Sequence, residues 1–169
     1  LVENSLDAGA SAVTVDIREG GLEFIRVSDN GSGIPESELR MAFERHATSK
    51  LRTQEDLLRI ATLGFRGEAL SSIAAVSKVT LLSRLRGSES GMQVVNEGGQ
   101  ITDIRPAPCA EGTAITVRDL FFNAPVRRKF MKKPAQETQL VADLMQRLIL
   151  SHPDVSFRFT ADGKTVFFS

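Results

Sequence analysis

Three polar side chains and three glycine-bearing segments stand where chemistry could be done. Asp29 ends the run EFIRVSDN, where Ile25 and Val27 share its side of an extended chain by the two-residue period of a strand. A carboxylate at the rim of an apolar pocket is costly unless it accepts a strong hydrogen bond. A flat heterocycle with an exocyclic amine, such as adenine, would supply that donor. Gly31 and Gly33 follow in DNGSGI and would let a ligand approach the backbone closely. Thr113, in the EGT segment, shares a strand face with Ile115 and Val117, so its hydroxyl could complete the same polar pocket end. Asn4 lies three residues before Asp7 on roughly the same helical face, and an amide oxygen can ligate a magnesium ion carrying phosphates. In GFRGEAL, Gly64 and Gly67 precede a helical run, and free N–H groups at a helix start bind phosphate oxygens.

Each feature has a plainer reading. DNGSG alone is an ordinary turn. Thr113 alone is a β-favouring residue, Asn4 a helix-surface amide, and the glycines of GFRGEAL shapers of a loop. Two common phosphate motifs are excluded. The pattern G-x-x-x-x-G-K-[ST] is absent, and the dinucleotide fingerprint would need glycine at position 36, which is Glu36.

The elements that must position these groups follow from periodicity. LVENSLDAGA reads as a helix stopped by Gly9, and AVTVDIREGG as a strand with Val13, Val15 and Ile17 inward, turning through Gly20-Gly21 into EFIRVSDN. Pro35 opens a short helix, PESELRMAFERH, and QEDLLRIATL and EALSSIAAV give two more. VSKVTLLSR is a strand, GMQVVNEGGQITDIRP a hairpin turning on Gly98-Gly99, and GTAITVRDLFF a further strand. From Ala135 to Ser151, Leu140, Val141, Leu144, Met145, Leu148 and Ile149 recur at the spacing of one helical face. A last hairpin turns at Asp162-Gly163. Eight strands, five or six helices and few strand–helix–strand crossovers predict an α+β sandwich, a mixed and mostly antiparallel sheet with helices on one face. With no repeat or linker, residues 1–169 read as one domain.

Composition limits the alternatives. Lys and Arg (21) balance Asp and Glu (21), so bulk positive charge does not hold this chain to nucleic acid, although a local basic patch can. One cysteine, Cys109, excludes an internal disulfide and reads as incidental; His46 and His152 lie too far apart in sequence for a Cys/His zinc site. His46 adjoins the RHATSK stretch and reads as a bystander. No apolar run reaches the roughly 20 residues that span a bilayer, and no signal peptide is visible, which points to a cytoplasmic or nuclear protein without a membrane partner. Arg127 to Lys133 carries five cations in seven residues, a solvated face or a contact for DNA phosphates through Arg127 and Arg128. Phe121, Phe122 and Phe130 read as core.

Taken together, LVENSLDAGA, DNGSGIP, RHATSK, TLGFRGEALSSIA, GT and LFFNAPVRRKF, in this order and spacing, resemble the N-terminal ATPase domain of the MutL family of DNA mismatch-repair proteins. That family sits in the superfamily of gyrases, heat-shock chaperones and histidine kinases, with its Bergerat-type ATP-binding fold. The resemblance covers essentially the whole chain; GFRGEAL and FFNAPVRRKF are its most specific parts. It implies an ATP and magnesium site: Asn4 on the metal, Asp29 accepting from the adenine amine with Thr113 assisting through water, and Ala8, Gly31, Gly33 and Ile34 around base and sugar. It further implies a lid over the phosphates made of Thr48, Ser49, Lys50, Gly64, Phe65, Arg66, Gly67, Glu68 and Ala69. Ordering of that lid on nucleotide binding would promote dimerisation, as homodimer or heterodimer, with DNA and other repair proteins, mismatch-recognition proteins among them, as partners.

The resemblance also implies what is missing. The water-activating glutamate of the family would fall immediately before Leu1, so no catalytic residue is expected in these 169 residues, and a first helix, a second domain and a C-terminal dimerisation domain would lie elsewhere. Glu3 is no substitute, since neighbours on a helix point about 100° apart. Hydrolysis is therefore expected of a longer chain and hardly of this one. A non-catalytic nucleotide-binding scaffold, or another superfamily member such as a topoisomerase subunit or histidine kinase, are the alternatives.

Overall fold

The computed structural model describes residues 1–45 and 68–169. The first helix, α1 (Val2–Asp7), ends where Gly9 takes a φ of +69°. There Gly9 N–H donates to Leu6 O and Ala10 N–H to Ser5 O, a double closure that glycine permits without strain. Strand β1 (Ala12–Arg18) follows, then a short 3-10 turn (Glu19–Gly21) and β2 (Phe24–Asp29). The expected helix behind Pro35 is shorter than its sequence suggests: Pro35 caps α2 (Glu36–Leu39), and the chain then tightens into a single 3-10 turn at Met41–Phe43. The helix expected over QEDLLRIATL lies outside the described residues.

After α3 (Ala69–Ala74) come β3 (Lys78–Arg84), β4 (Gly91–Glu97), β5 (Gln100–Ala107) and β6 (Gly112–Arg118), then α4 (Pro125–Lys129), α5 (Pro134–Ser151), β7 (Ser156–Ala161) and β8 (Lys164–Phe168). The β7–β8 turn carries positive φ at both Asp162 and Gly163, as a tight two-residue hairpin requires. All eight strands form one sheet in the order β5-β4-β3-β6-β2-β1-β7-β8. Among the described residues only β1 and β7 pair in parallel; the remaining neighbours are antiparallel.

Register puts one apolar set on one face. Val13, Val15 and Ile17 of β1 lie opposite Phe157, Phe159 and Ala161 of β7, and Val27 and Ile25 of β2 lie opposite Ile115 and Val117 of β6. Ala142 and Met145 of α5 pack on the β1–β7 half, while Leu39, Leu70 and Ala74 cover the half around Val79, Leu81 and Val94. The fold is thus the mixed, mostly antiparallel sheet with helices on one face that the sequence predicts. Phe24 is buried on the other face because the guanidinium groups of Arg18 and Arg118 cover its ring at 5.0 and 4.9 Å.

Two apolar assignments need correction. Leu140 and Leu144 stand 48% and 53% exposed, so α5 turns Val141, Ala142, Met145, Leu148 and Ile149 to the core instead of the wider stripe read from spacing. Phe122 and Phe130 are exposed, Phe130 at 84%, and are not core. Both flank α4, a single helical turn with no buried residue to anchor it.

Candidate functional site

Three strands end their inward apolar stripes in a polar side chain, and the register aligns all three. Asp29 on β2 lies opposite Thr113 on β6, and Thr113 lies opposite Ser83 on β3. One row across the sheet therefore reads carboxylate, hydroxyl, hydroxyl. Asp29 Oδ1 accepts from the backbone amides of Gly31 (2.9 Å) and Thr113 (3.3 Å), and Oδ2 accepts from the Ser5 hydroxyl at 2.6 Å. A carboxylate has about four lone-pair sites. Three are filled by the described residues, and one on Oδ2 remains for a ligand donor.

The row continues through Ser83, which is 2% exposed. Its hydroxyl accepts from Ile34 N–H at 2.8 Å, reaches Gly112 O at 3.1 Å, and pairs with Thr113 Oγ1 at 2.9 Å. The hydroxyl pair ties the glycine loop after β2 to the start of β6. Asn30 fixes the same loop from the other side: its Oδ1 accepts from Ser11 and Ala12 N–H, both at 2.9 Å, and its Nδ2 donates to Ser11 Oγ. The loop is pinned on both flanks.

The two glycines of the loop serve the protein's own packing. A Cβ at Gly31 would meet Ala8 Cβ and Ala8 O at 2.9 Å, where α1 lies against the loop and Ala8 O accepts from Ser32 N–H at 3.0 Å. Gly33 has a φ of +75°, and a Cβ there would run into the backbone carbonyl of Arg84. Both glycines are therefore required by the protein's own packing, whatever approaches the loop from outside.

Asn4 projects from the same helix as Ser5, half-buried, and its amide makes no hydrogen bond with another described residue. Of the residues read as a lid, Glu68 and Ala69 begin α3, with Glu68 O accepting from Ser71 Oγ at 2.9 Å. Thr48, Ser49, Lys50, Gly64, Phe65, Arg66 and Gly67, with His46, lie outside the described residues. Arg127 and Arg128 are exposed on α4, which follows the far end of β6 from Thr113. Five residues of strand, roughly 17 Å at 3.3 Å each, separate Thr113 from Arg118, so the basic segment belongs to the opposite end of the sheet. Lys78, which pairs with Asp119 at 3.0 Å and sits 5.5 Å from the Phe122 ring, lies at that end too. The bond to Asp119 holds its ammonium above the usual lysine range.

Sequence reasoning did not single out Ser5 or Ser83, yet both hydrogen-bond within this polar cluster. Ser83 follows Val79 and Leu81 by the two-residue period that marked Asp29 and Thr113, so the same rule identifies it. Ser5 is 4% exposed on a helix whose inner side is otherwise apolar, a weaker signal.

Comparison with known proteins identifies the family of this fold. Residues 1–101 match the family described as histidine kinase-, DNA gyrase B- and HSP90-like ATPase. The chain is 54% identical over 167 residues to the DNA mismatch repair protein MutL of Geotalea daltonii, covering 99% of this chain and 28% of that protein. To MutL of Thermoanaerobacter pseudethanolicus it is 52% identical over the same length, covering 27% of that protein. The chain thus spans about a quarter of the length of these relatives. Among solved structures, the Aquifex aeolicus MutL ATPase domain complexed with ADP superposes with a TM-score of 0.77 at 37% identity, covering 99% of this chain and 59% of that one. The N-terminal domain of a DNA repair protein gives a TM-score of 0.80 at 29% identity.

Proposed function

Since this chain belongs to the histidine kinase-, DNA gyrase B- and HSP90-like ATPase family and resembles the N-terminal region of MutL along almost its whole length, we propose that it is an ATP-binding unit acting in DNA mismatch repair. The observation that carries this reading is the single free lone pair of Asp29 at the end of an apolar stripe. The exocyclic amine of adenine donates there, and Thr113 makes a second contact through water. Ala8, Gly31, Gly33 and Ile34 border base and sugar. The ADP bound by the Aquifex aeolicus domain supports a nucleotide in this fold.

Asn4 offers one amide oxygen, which fits a magnesium ion that keeps waters and phosphate oxygens as its other ligands. Among the described residues no cluster of three His, Cys, Asp or Glu side chains could hold a metal alone. When bound, magnesium would neutralise charge on the phosphates. Thr48, Ser49, Lys50 and residues 64–69 would cover those phosphates, and closing of that cover would favour pairing with a second copy or a related chain.

Neither Glu3 nor Asp29 is placed to activate water. Glu3 is exposed and about 100° round the helix from Asn4, while Asp29 is committed to three protein donors. These 169 residues by themselves should therefore bind ATP and turn it over barely, with hydrolysis a property of the longer assembly. DNA would be met at the other end of the sheet through Arg127 and Arg128.

Isothermal titration with a non-hydrolysable ATP analogue tests the reading. Asp29→Asn should weaken binding at least tenfold, the scale of one charge-assisted hydrogen bond. Undiminished affinity in that variant would sink the assignment.

A further inference from the structure

We infer that Phe130 is a stacking platform that gives the basic segment after β6 a preference for single-stranded over duplex DNA. The inference rests on the proposed DNA contact at Arg127 and Arg128 and names the form of DNA that this contact takes. The ring of Phe130 is 84% exposed, and Val126, one helical turn before it, is 67% exposed. The ring makes no aromatic or cation–π contact with another described residue. Its backbone is nonetheless fixed: Phe130 N–H donates to Arg127 O and Met131 N–H to Arg128 O, both at 3.2 Å, closing the turn of α4. A large ring is thus held in place with its faces in water, forfeiting the gain that burial would bring.

Charge around the ring decides what covers it. Arg127, Arg128, Lys129, Lys132 and Lys133 flank it in sequence, and residues 125–136 include no acidic side chain. All five cations are exposed, and none forms an ion pair with a described residue. Lysine is depleted where protein meets protein, whereas a phosphate backbone draws in every one of these cations. The matching partner is therefore a nucleic-acid strand. In a duplex the base faces are covered by their neighbours, so this surface meets phosphates alone. A single strand offers its bases as well, and one base lying on an aromatic ring tightens binding by about tenfold.

The test is fluorescence anisotropy with three labelled DNAs of equal length: an oligothymidylate strand, the same strand without bases, and a duplex. The abasic strand keeps the phosphates and removes the stacking faces. The unaltered chain should bind oligothymidylate about tenfold more tightly than the abasic strand. In Phe130→Ala that margin should vanish, while duplex affinity, its salt slope and the melting temperature stay unchanged, as an exposed position allows; Phe130→Trp should retain the margin. Equal binding of the two single strands by the unaltered chain would overturn the inference, a comparison that needs no variant to fold. So would a margin that survives in Phe130→Ala, or a loss of self-association in that variant with DNA binding unmoved, which would give the ring to a second copy instead. Failure of the underlying reading shows differently: no DNA would then bind in a salt-dependent way, and replacing Arg127 and Arg128 by Gln would change nothing.

Discussion

Thr113 lies directly opposite Asp29 where β2 meets β6, and its backbone amide donates to the Asp29 side chain at 3.3 Å. The carboxylate thus acts as a ladder partner at the sheet's end as well as a ligand acceptor. Removing it should be felt in stability as well as binding. Asp29→Ala orphans the Ser5 hydroxyl and the Gly31 and Thr113 amides, at about 1–3 kcal/mol for each that stays dry. Asp29→Asn keeps an acceptor oxygen and should lose far less in urea unfolding while still losing nucleotide.

Ser83 should behave as a structural member of the same row. Ser83→Ala leaves Ile34 N–H and Thr113 Oγ1 without their buried partner. We expect a loss of about 1–3 kcal/mol in chemical denaturation, with Val at the same position no better, because the missing quantity is the oxygen and not volume.

Gly33 and Gly163 separate backbone strain from collision. Both have φ near +75°, yet a Cβ at Gly163 meets nothing within 4 Å while one at Gly33 meets the Arg84 carbonyl. Gly163→Ala should cost about 1–2 kcal/mol, the left-handed backbone penalty alone. Gly33→Ala should cost clearly more in the same melting experiment; equal losses would show that the loop moves aside freely.

The exposed and buried apolar residues around α5 give opposite expectations. Phe159 is fully buried against Phe167, with ring centres 6.1 Å apart, and Phe159→Ala should cost about 3–5 kcal/mol. Leu140→Ala and Leu144→Ala, both at exposed positions, should stay within about 0.5 kcal/mol. Thermal unfolding of the three variants checks the face that α5 presents.

Lys78 supplies a pH signature. Its hydrogen bond and charge pairing with Asp119 raise its pKa above the ordinary 10.5. A raised lysine pKa means that the pair's contribution is fully present below the unfolded value and is lost as pH rises through the folded one. The difference in melting temperature between the protein and Lys78→Gln should therefore be small and constant from neutral pH up to the ordinary lysine range and disappear as pH rises beyond it, through the raised value of the folded state. A gap that widens at high pH would contradict the pairing.

For the basic segment, DNA binding should fall with salt, and replacing Arg127 and Arg128 by Gln should reduce the slope of log affinity against log salt by about 2. Nucleotide affinity should not change, because these residues stand at the other end of β6.

Strand identity, inward faces and hairpin turns were legible from the sequence because they depend on local rules: a period of two, and glycine or aspartate where φ must be positive. Asp29 and Thr113 were legible for the same reason, as polar ends of apolar stripes. The sequence alone could not show that these two and Ser83 fall in one row, since register across β2, β6 and β3 joins residues 84 and 30 positions apart and is decided when the sheet assembles. It also misjudged α5 and Phe130: spacing marks which residues could share a face, but only packing decides how wide a face the sheet has room to cover. The role of Ser5 likewise belongs to tertiary structure, because a hydroxyl on a short helix acquires meaning only from the carboxylate that the sheet brings to it.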